Sequence, residues 1–176
     1  GVLADAIRAA RIGGDIDRHH FETIAPHEAI EKEPDRDWNP VTEVDRTAER
    51  AITGYLRQSY PDHRFLGEEN VAGHEIDAEH LWVIDPIDGT ANYIHGMPHY
   101  GVAVGYAYQG TLLAAACLDP ERDELFTAIR GEGARLNGSP IRSRPTAQLS
   151  DALVATGFYY DRGEMMERTL LSLLHI

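Results

Sequence analysis

Cysteine, lysine and long apolar runs are all scarce in this sequence. Its 176 residues include one cysteine, Cys117, so no intramolecular disulfide can form, and a reducing cytoplasm is the simpler expectation. Cys117 lies in an apolar segment, which predicts a small buried side chain rather than a reactive thiol. No segment approaches the roughly 18 consecutive apolar residues of a membrane-spanning helix, so we expect no membrane partner.

Positive charge is scarce as well. Lysine and arginine together number 16 against 29 aspartates and glutamates, which gives a formal net charge of −13, and Lys32 is the only lysine. This balance argues against nucleic acid or an anionic membrane as a partner, because both are negatively charged. A protein this acidic needs local positive charge to bind a phosphate, and bound divalent cations would supply it.

Two amphipathic helices are predicted in the first third of the chain. Apolar residues recur at helical spacing over Val2–Phe21, and a polar, proline-containing loop is expected over 25–40. The segment 42–45, with threonine first and aspartate last, has the spacing of a capping box. It predicts a second helix that ends near Tyr60.

Strand patterns fill the middle of the chain, and a new layer is expected at its end. Five short strands and a hairpin are predicted between residues 63 and 129, and Asn137-Gly138 is the strongest hairpin turn in the sequence. A later apolar strand at 152–156 and a helix over 165–174 suggest the opening of a second α/β layer. We therefore divide the chain into an N-terminal α+β domain, 1–150, and the start of a C-terminal α/β domain, 151–176.

An acidic turn follows the apolar run Trp82-Val83-Ile84. Asp85 stands at the end of this expected strand, Pro86 should end the hydrogen-bonded ladder, and Asp88-Gly89-Thr90 follows. Converging carboxylate and carbonyl oxygens suit Mg²⁺, and backbone N–H groups at the start of a helix suit a phosphate. Aspartate, proline and glycine are also the commonest residues of an ordinary turn, so this segment alone leaves both interpretations open.

Two upstream segments carry carboxylates that could join this turn. Gly67-Glu68-Glu69 ends a short expected strand, and adjacent carboxylates repel each other unless they are solvated or bound to a cation. Asp45 closes the predicted capping box, which by itself explains that residue. Each segment therefore has an ordinary structural explanation when it is considered alone.

Together, the three segments resemble the inositol monophosphatase family in order, spacing and residue pattern. They are 40–45, 67–69 and 82–93, and the stretches 131–138 and 155–158 are also similar to that family. It belongs to a superfamily of Mg²⁺-dependent, Li⁺-sensitive phosphatases that includes fructose bisphosphatase. The resemblance implies an α/β (α+β) fold, a layered α/β/α/β/α sandwich whose second α/β layer is incomplete in this chain. It also implies a homodimer.

The resemblance implies a metal site with about two or three Mg²⁺ ions. The matching ligands are the carboxylates of Glu68, Asp85 and Asp88 and the carbonyl oxygen of Ile87. No Trp-Asp motif of the kind that completes the second metal site in this family occurs before Ile176. We therefore expect that this chain lacks that aspartate because it is part of a longer protein; if it is the entire protein, we expect weak binding of the second metal and poor or absent turnover.

The resemblance also implies a catalytic and phosphate-binding set. Asp45 and Thr90 match a carboxylate–hydroxyl pair that orients and deprotonates the attacking water, with Glu68 as a further catalytic residue. Asp88, Gly89 and Thr90 match the phosphate-binding residues, through the backbone amides of the last two. Among the nine histidines, His95 is the best candidate for touching the substrate.

The implied function is hydrolysis of a small phosphate ester. The chain would be a cytoplasmic Mg²⁺-dependent phosphomonoesterase that uses metal-activated water on inositol monophosphate or a similar polyol or sugar phosphate. Histidinol phosphatase, bisphosphate nucleotidase and sugar bisphosphatase are alternatives within the superfamily. A non-catalytic metal- or phosphate-binding regulator is the alternative from a different class.

Overall fold

A computed structural model describes residues 1–21, 23, 30–31, 40–67, 77–157 and 163–174. The chain divides into two units, one formed by Gly1–Ala29 with Thr42–Ile141 and the other by Ile30–Val41 with Arg142–Ile176. The predicted boundary between residues 150 and 151 stays a prediction. None of the helices in the described ranges is long and apolar enough to cross a membrane.

Helices and strands occur where the sequence patterns predict them, with few exceptions. The fold is of the predicted α/β class, because a mixed seven-stranded sheet packs against two long helices. In chain order the elements are α1 (Val2–Phe21), β1 (Ile30–Glu31), β2 (Pro40–Val41), α2 (Glu43–Ser59), β3 (Arg64–Gly67), β4 (His80–Asp88), α3 (Thr90–Ile94), β5 (Gly101–Tyr108), β6 (Thr111–Asp119), β7 (Glu124–Ile129), β8 (Gly133–Leu136), β9 (Ser139–Ile141) and α4 (Glu164–Leu174).

Small residues let α1 lie close to its neighbours. A Cβ atom on Gly13 would lie 2.8 Å from the Cδ1 of Ile52 on α2, and one on Gly14 would lie 2.7 Å from the Cδ2 of Leu118 on β6. Both distances are shorter than real carbon contacts, so the two glycines permit this close packing. The buried stripe of α1 follows helical spacing and consists of Ala6, Ala9, Ala10, Gly13, Gly14 and Asp17.

The capping box at the start of α2 is confirmed. The hydroxyl of Thr42 accepts hydrogen bonds from the backbone N–H groups of Val44 and Asp45, at 3.1 and 3.3 Å. In return, the Thr42 backbone N–H donates to Asp45 Oδ2 at 2.8 Å. These bonds satisfy N–H groups that would otherwise have no partner at a helix start, and they hold the Asp45 carboxylate in place.

The seven strands of the main sheet follow chain order, from β3 at one edge to β9 at the other. β3 and β4 are parallel, and each later pair is antiparallel. The predicted hairpin turns are confirmed: Gln109 and Gly110 have φ of 47° and 72°, and Asn137 and Gly138 have φ of 47° and 81°. Positive φ at both positions gives the turn twist that suits a two-residue hairpin.

Pro86 does not end β4, contrary to the prediction. The strand continues to Asp88, and its register with β5 shifts between Asp85 and Asp88. On the other side of β4, pairing with β3 is described as far as Gly67, which lies opposite Ile84. Pro86, which has no N–H to donate, is therefore accommodated in an irregular stretch where the regular ladder is interrupted.

Two further expectations about secondary structure are wrong. Residues 152–156 form no strand, since none of the described strands pairs with them, and the Leu153 side chain is fully exposed. An unpaired strand would leave its backbone groups without partners, so an apolar run alone does not make one. The loop expected over 25–40 is contradicted at residues 30, 31 and 40, because β1 and β2 form an antiparallel ladder with Ile30 opposite Val41, and the rest of that range lies outside the described residues.

Cys117 is exposed rather than buried. Its neighbours on β6, Ala116 and Leu118, point into the core, so strand alternation directs Cys117 to the opposite face of the sheet. That face also carries the partly exposed Phe126, which pairs with Cys117 across β6 and β7. Partial burial, and next the nearby carboxylates of Asp88 and Asp85, raise the pKa of the thiol, which opposes its reactivity as a thiolate.

A histidine stack lies at the end of β4 away from the acidic turn. The rings of His63 and His80 are parallel, with centroids 4.4 Å apart. Trp82 Nε1–H donates to His63 Nδ1 at 3.1 Å, which leaves that nitrogen unprotonated. Burial, and next the facing His80 ring, lower the pKa of His63.

This stack predicts a loss of stability in mild acid. Because the folded state lowers the pKa of His63, it favours the neutral ring. The stability gained by keeping His63 neutral is fully present above the pKa of about 6.5 that a histidine has in the unfolded chain. It is lost as the pH falls through the lower pKa that His63 has in the folded protein. We expect that the free energy of unfolding, measured with urea, falls between pH 7 and pH 5 by less in His63→Gln than in the parent. The exposed His19→Gln serves as a control, and an equal fall in all three proteins would contradict the assignment.

Candidate metal and phosphate site

β4 runs directly into α3 and so brings the residues of the acidic turn together. Asp85 is half-buried, Ile87 is buried and Asp88 is exposed at the end of the strand. Gly89 then takes a left-handed conformation, with φ of 96°, and precedes the first residue of α3. Asp85 and Asp88 therefore lie on either side of the register shift, and Ile87 lies within it, where the regular pairing between β4 and β5 is interrupted.

The Thr90 hydroxyl links the acidic turn to α2. Its Oγ1 lies 3.0 Å from the carbonyl oxygen of Ile87 and 3.2 Å from Oδ1 of Asp45, and both contacts are buried. A hydroxyl has one proton, so Thr90 shares it between the two acceptors or donates it to one at a time. The predicted pairing of Asp45 with Thr90, 45 residues apart in sequence, is thus present as a direct hydrogen bond.

Asp45 is fully buried and held from two sides. Oδ2 accepts from the backbone N–H of Thr42 at 2.8 Å and from its hydroxyl at 2.5 Å, while Oδ1 faces Thr90. The same aspartate therefore closes the helix cap and contacts the site. The capping role and the pairing with Thr90 do not exclude each other, because the first uses Oδ2 of Asp45 and the second uses Oδ1.

Glu68 lies outside the described residues, as do Glu69 and Lys32. The residue before it, Gly67, ends β3 against the buried side chain of Glu49 on α2. A Cβ atom on Gly67 would lie 2.3 Å from the Glu49 carboxyl carbon, so a larger residue there would have to displace that carboxylate. The chain is thereby brought next to a second buried acidic residue that the sequence analysis did not single out.

Asp17 is the acidic residue that the sequence analysis missed most clearly. It lies on α1 with no exposed surface, and neither carboxyl oxygen has a hydrogen-bond partner within the described part of the chain. Burial, and next the neighbouring carboxylates of Asp45 and Asp85, raise the pKa of Asp17 to about 9. Its position in a helical stripe of alanine and glycine was the available signal, because a carboxylate there cannot reach water.

The donor chemistry of the turn fits Mg²⁺. Asp85, Asp88 and the Ile87 carbonyl offer only oxygen, the ligand that this hard cation prefers. Within the described ranges, no three acidic, histidine or cysteine side chains are close enough to hold one ion. The predicted third carboxylate, Glu68, is outside those ranges.

A cavity of about 350 Å³ opens beside Asp88 and Gly89. Its size suits a small ligand, and its floor is formed by β5 and β6. The residues that line it are Asp88, Gly89, Asn92, His99, Tyr100, Gly101, Cys117, Leu118, Asp119 and Phe126. His95, the predicted substrate contact, is exposed at the end of α3 and does not line this cavity.

Replacing Gly89 by alanine should destabilise the turn by about 1–3 kcal/mol. A side chain at φ of 96° is strained, and its Cβ atom would also lie 3.0 Å from the backbone oxygen of His99. Gly96 offers a matched control, because it has φ of 69° but open space around it. Urea unfolding should show a larger loss for Gly89→Ala than for Gly96→Ala, and equal losses would contradict a role for the His99 contact.

Comparison with known proteins agrees with the predicted family and fold class. The model of the inositol monophosphatase family matches residues 2–174. The chain belongs to this family. The family resemblance stated from the sequence is thus confirmed over nearly the whole chain.

Relatives in sequence and in structure carry different names. The Nus factor SuhB of Pseudomonas aeruginosa is 46% identical over 159 residues, which are 89% of this chain and 58% of that protein. The crystal structure of the extragenic suppressor protein suhB from Bartonella henselae superimposes with a TM-score of 0.84 at 30% identity, covering 98% of this chain and 65% of that one. The chain therefore spans about three-fifths of the length of the curated relatives that it matches.

Two similar crystal structures contain ligands. SaIMPase-II with bound inositol monophosphate matches with a TM-score of 0.67 at 28% identity, over 84% of this chain and 51% of that one. An IMPase/NADP phosphatase complexed with NADP and Ca²⁺ matches with a TM-score of 0.59 at 36% identity, over 63% of this chain and 44% of that one. Structures of this family thus bind phosphate esters, and one of them also holds a divalent cation.

Proposed function

We propose that the protein to which this chain belongs is a Mg²⁺-dependent phosphomonoesterase that acts on inositol monophosphate or a similar small polyol or sugar phosphate. The observation that carries the proposal is the buried hydrogen bond between Thr90 and Asp45, beside the oxygen ligands of the acidic turn. A hydroxyl backed by a carboxylate can accept a proton at Oγ1 while passing its own to Oδ1. That is the proton transfer that a water attacking phosphorus requires.

Of the other site residues, some would bind the phosphate and the rest would bind the cation. The backbone N–H groups of Gly89 and Thr90 have no helical acceptor at the start of α3, so they can bind phosphate oxygens. Asp85, Asp88 and the Ile87 carbonyl, with Glu68, would hold Mg²⁺. When bound, the cation neutralises phosphate charge and favours ionisation of a nearby water. The number of ions, about two or three, is part of the proposal.

Phosphate release by the full-length protein tests this function. We expect hydrolysis of inositol monophosphate that requires millimolar Mg²⁺, is inhibited by Li⁺ and stops in excess EDTA. The panel should also contain histidinol phosphate, fructose bisphosphate, adenosine bisphosphate and NADP, since other family activities use such esters. Hydrolysis of none of them would rule out the phosphatase.

A second candidate is a regulator that binds metal or phosphate without catalysis. The names of the sequence relatives favour it, because they are called Nus factors rather than phosphatases. Cation binding by the full-length protein without any ester hydrolysis would support this candidate. A homodimer, a cytoplasmic location and the absence of nucleic-acid and membrane partners are further parts of our proposal. Light scattering and an RNA-binding assay at physiological salt would test the first and the third.

A further inference from the structure

Glu49 is a buried acidic residue on α2 to which the function proposed above gives no role. Only 5% of its surface is exposed, and it lies one helical turn after Asp45 on the same inward face of the helix. Burying a carboxylate is costly, so a helix that only packs against a sheet would carry an aliphatic side chain there, as α2 does at Ile52 and Leu56. The carboxylate at this position therefore needs an explanation beyond packing.

The Glu49 carboxylate occupies the space that a side chain would fill at residue 67. Its carbon and both of its oxygens lie within 2.5 Å of the place where a Cβ atom on Gly67 would stand. Because Gly67 has no side chain, the backbone at the end of β3 can lie directly against this carboxylate. The buried Gly67 cannot move toward α2, where the carboxylate blocks it, and cannot move away without opening a void.

On its other side, Gly67 pairs with Ile84 in the parallel ladder of β3 and β4. Asp85, a predicted cation ligand, follows Ile84 in the chain, and the predicted ligand Glu68 follows Gly67. Glu68 itself lies outside the described residues. Because each predicted ligand directly follows a member of this pair, the position of Gly67 relative to Ile84 sets where the two ligand residues begin.

The helix that carries Glu49 also contacts the acidic turn. Oδ1 of Asp45 lies 3.2 Å from Oγ1 of Thr90, and this Oγ1 lies 3.0 Å from the carbonyl oxygen of Ile87, a further predicted ligand. α2 thus contacts the end of β3 through Glu49 and the acidic turn through Asp45. One helix therefore fixes the two segments that supply the predicted ligands relative to each other.

We propose that Glu49 is a positioning residue of the divalent-cation centre, whose carboxylate holds the end of β3 at Gly67 and so places Glu68 for cation binding. The inference rests on the cation centre of the proposed function but not on its catalysis. Replacing a residue that orients the ligands of a metal commonly changes metal affinity by about 10- to 100-fold. Glu49 acts here through the length and shape of its side chain.

Cation binding by the full-length protein, measured by calorimetry without substrate, tests this role. Glu49→Asp keeps the charge but shortens the side chain by one CH₂ group, whereas Glu49→Gln keeps the length and the shape. We expect the Kd for Mg²⁺, and for Ca²⁺ as a second probe, to rise about tenfold or more in Glu49→Asp and by less in Glu49→Gln. Glu132→Asp is the control, because Glu132 is exposed between β7 and β8. If Glu49→Gln raises Kd more than Glu49→Asp does, Glu49 acts through its charge and the inference is overturned.

Gly67→Ala changes the same contact from the other side. Its methyl group would displace the Glu49 carboxylate, so Kd should again rise about tenfold or more. Glu49→Ala makes room for that methyl group, so the double variant should bind Mg²⁺ no more weakly than Glu49→Ala alone. Gly54→Ala on α2 is the control, since a Cβ atom there meets no described atom within 4 Å. Losses that add in the double variant would contradict the contact.

Thermal unfolding separates positioning from a purely structural role. Saturating Mg²⁺ should raise the melting temperature of Glu49→Asp less than that of the parent, because a ligand stabilises according to its affinity. A structural role alone would lower the melting temperature in EDTA and leave the shift caused by Mg²⁺ unchanged. If that shift and the Kd of the folded variants equal those of the parent, the inference is overturned.

The outcome can be separated from that of the proposed function. Glu49-dependent cation binding without ester hydrolysis would support the inference and refute the phosphatase. Ester hydrolysis with unchanged cation binding in the Glu49 and Gly67 variants would do the opposite. If the parent binds neither Mg²⁺ nor Ca²⁺ at millimolar concentration, both fall.

Discussion

The full-length protein carrying Asp88→Asn should release phosphate at least about 100-fold more slowly than the parent at saturating Mg²⁺. The substitution is isosteric, but it replaces a charged predicted ligand with a weaker neutral one. Asp88 is exposed at the end of β4, where the ladder is already irregular, so the fold should not depend on its charge. We expect the free energy of unfolding in EDTA to change by less than about 0.5 kcal/mol.

Asp123→Asn is the matched control for this experiment. It removes the same charge from another exposed aspartate, whose ion pair with Arg11 lies at the surface and contributes little. Asp123 also has a positive φ of 50°, which asparagine tolerates. Parent-like turnover in Asp88→Asn, with the protein folded, would refute the metal assignment, as would an equal loss in the control.

Thr90→Val should lower kcat by about 100-fold, because valine keeps the shape of threonine and removes the hydroxyl. The buried oxygens of Asp45 and Ile87 would then lose their donor. That loss should also lower the free energy of unfolding by about 1–3 kcal/mol, which urea titration can measure. Both effects follow from one deleted oxygen, but they are expected in different assays.

Thr90→Ser separates the two effects. Serine keeps the hydroxyl and removes only a methyl group, so we expect kcat within about tenfold of the parent value. A structural role alone would make both variants lose stability while their kcat values stay near that of the parent. If serine and valine lower kcat equally, the hydroxyl has no part in proton transfer.

The acidic turn shows how far local patterns reach. Asp85, Asp88 and Gly89 were recognised from their residue types and their position after an apolar run, and the structure places all three at one end of β4. The capping box could be predicted in the same way, because Thr42 and Asp45 interact within one helical turn. Such features depend on neighbours in sequence, so the sequence is enough to predict them.

Expectations failed where a local pattern depends on distant partners. Pro86 was expected to end a strand, but the register shift of β4 against β5 accommodates it. An apolar run at 152–156 has no strand beside it in the described structure, and Cys117 is exposed because alternation turns it away from the core. Pairing and sheet face are decided by other parts of the chain, which a linear pattern does not contain.

The sequence by itself determined the family, the helices and hairpins, and the residues of the acidic turn, since these depend on residue type and short spacing. Only the tertiary structure decided that one oxygen of Asp45 caps α2 while the other meets Thr90. It alone placed Asp17 in the same buried region as Asp45 and Asp85. The physical reason is that burial and electrostatic interaction act through space. The ionisation of a carboxylate on a helix is therefore set by elements that are distant in sequence and pack around it.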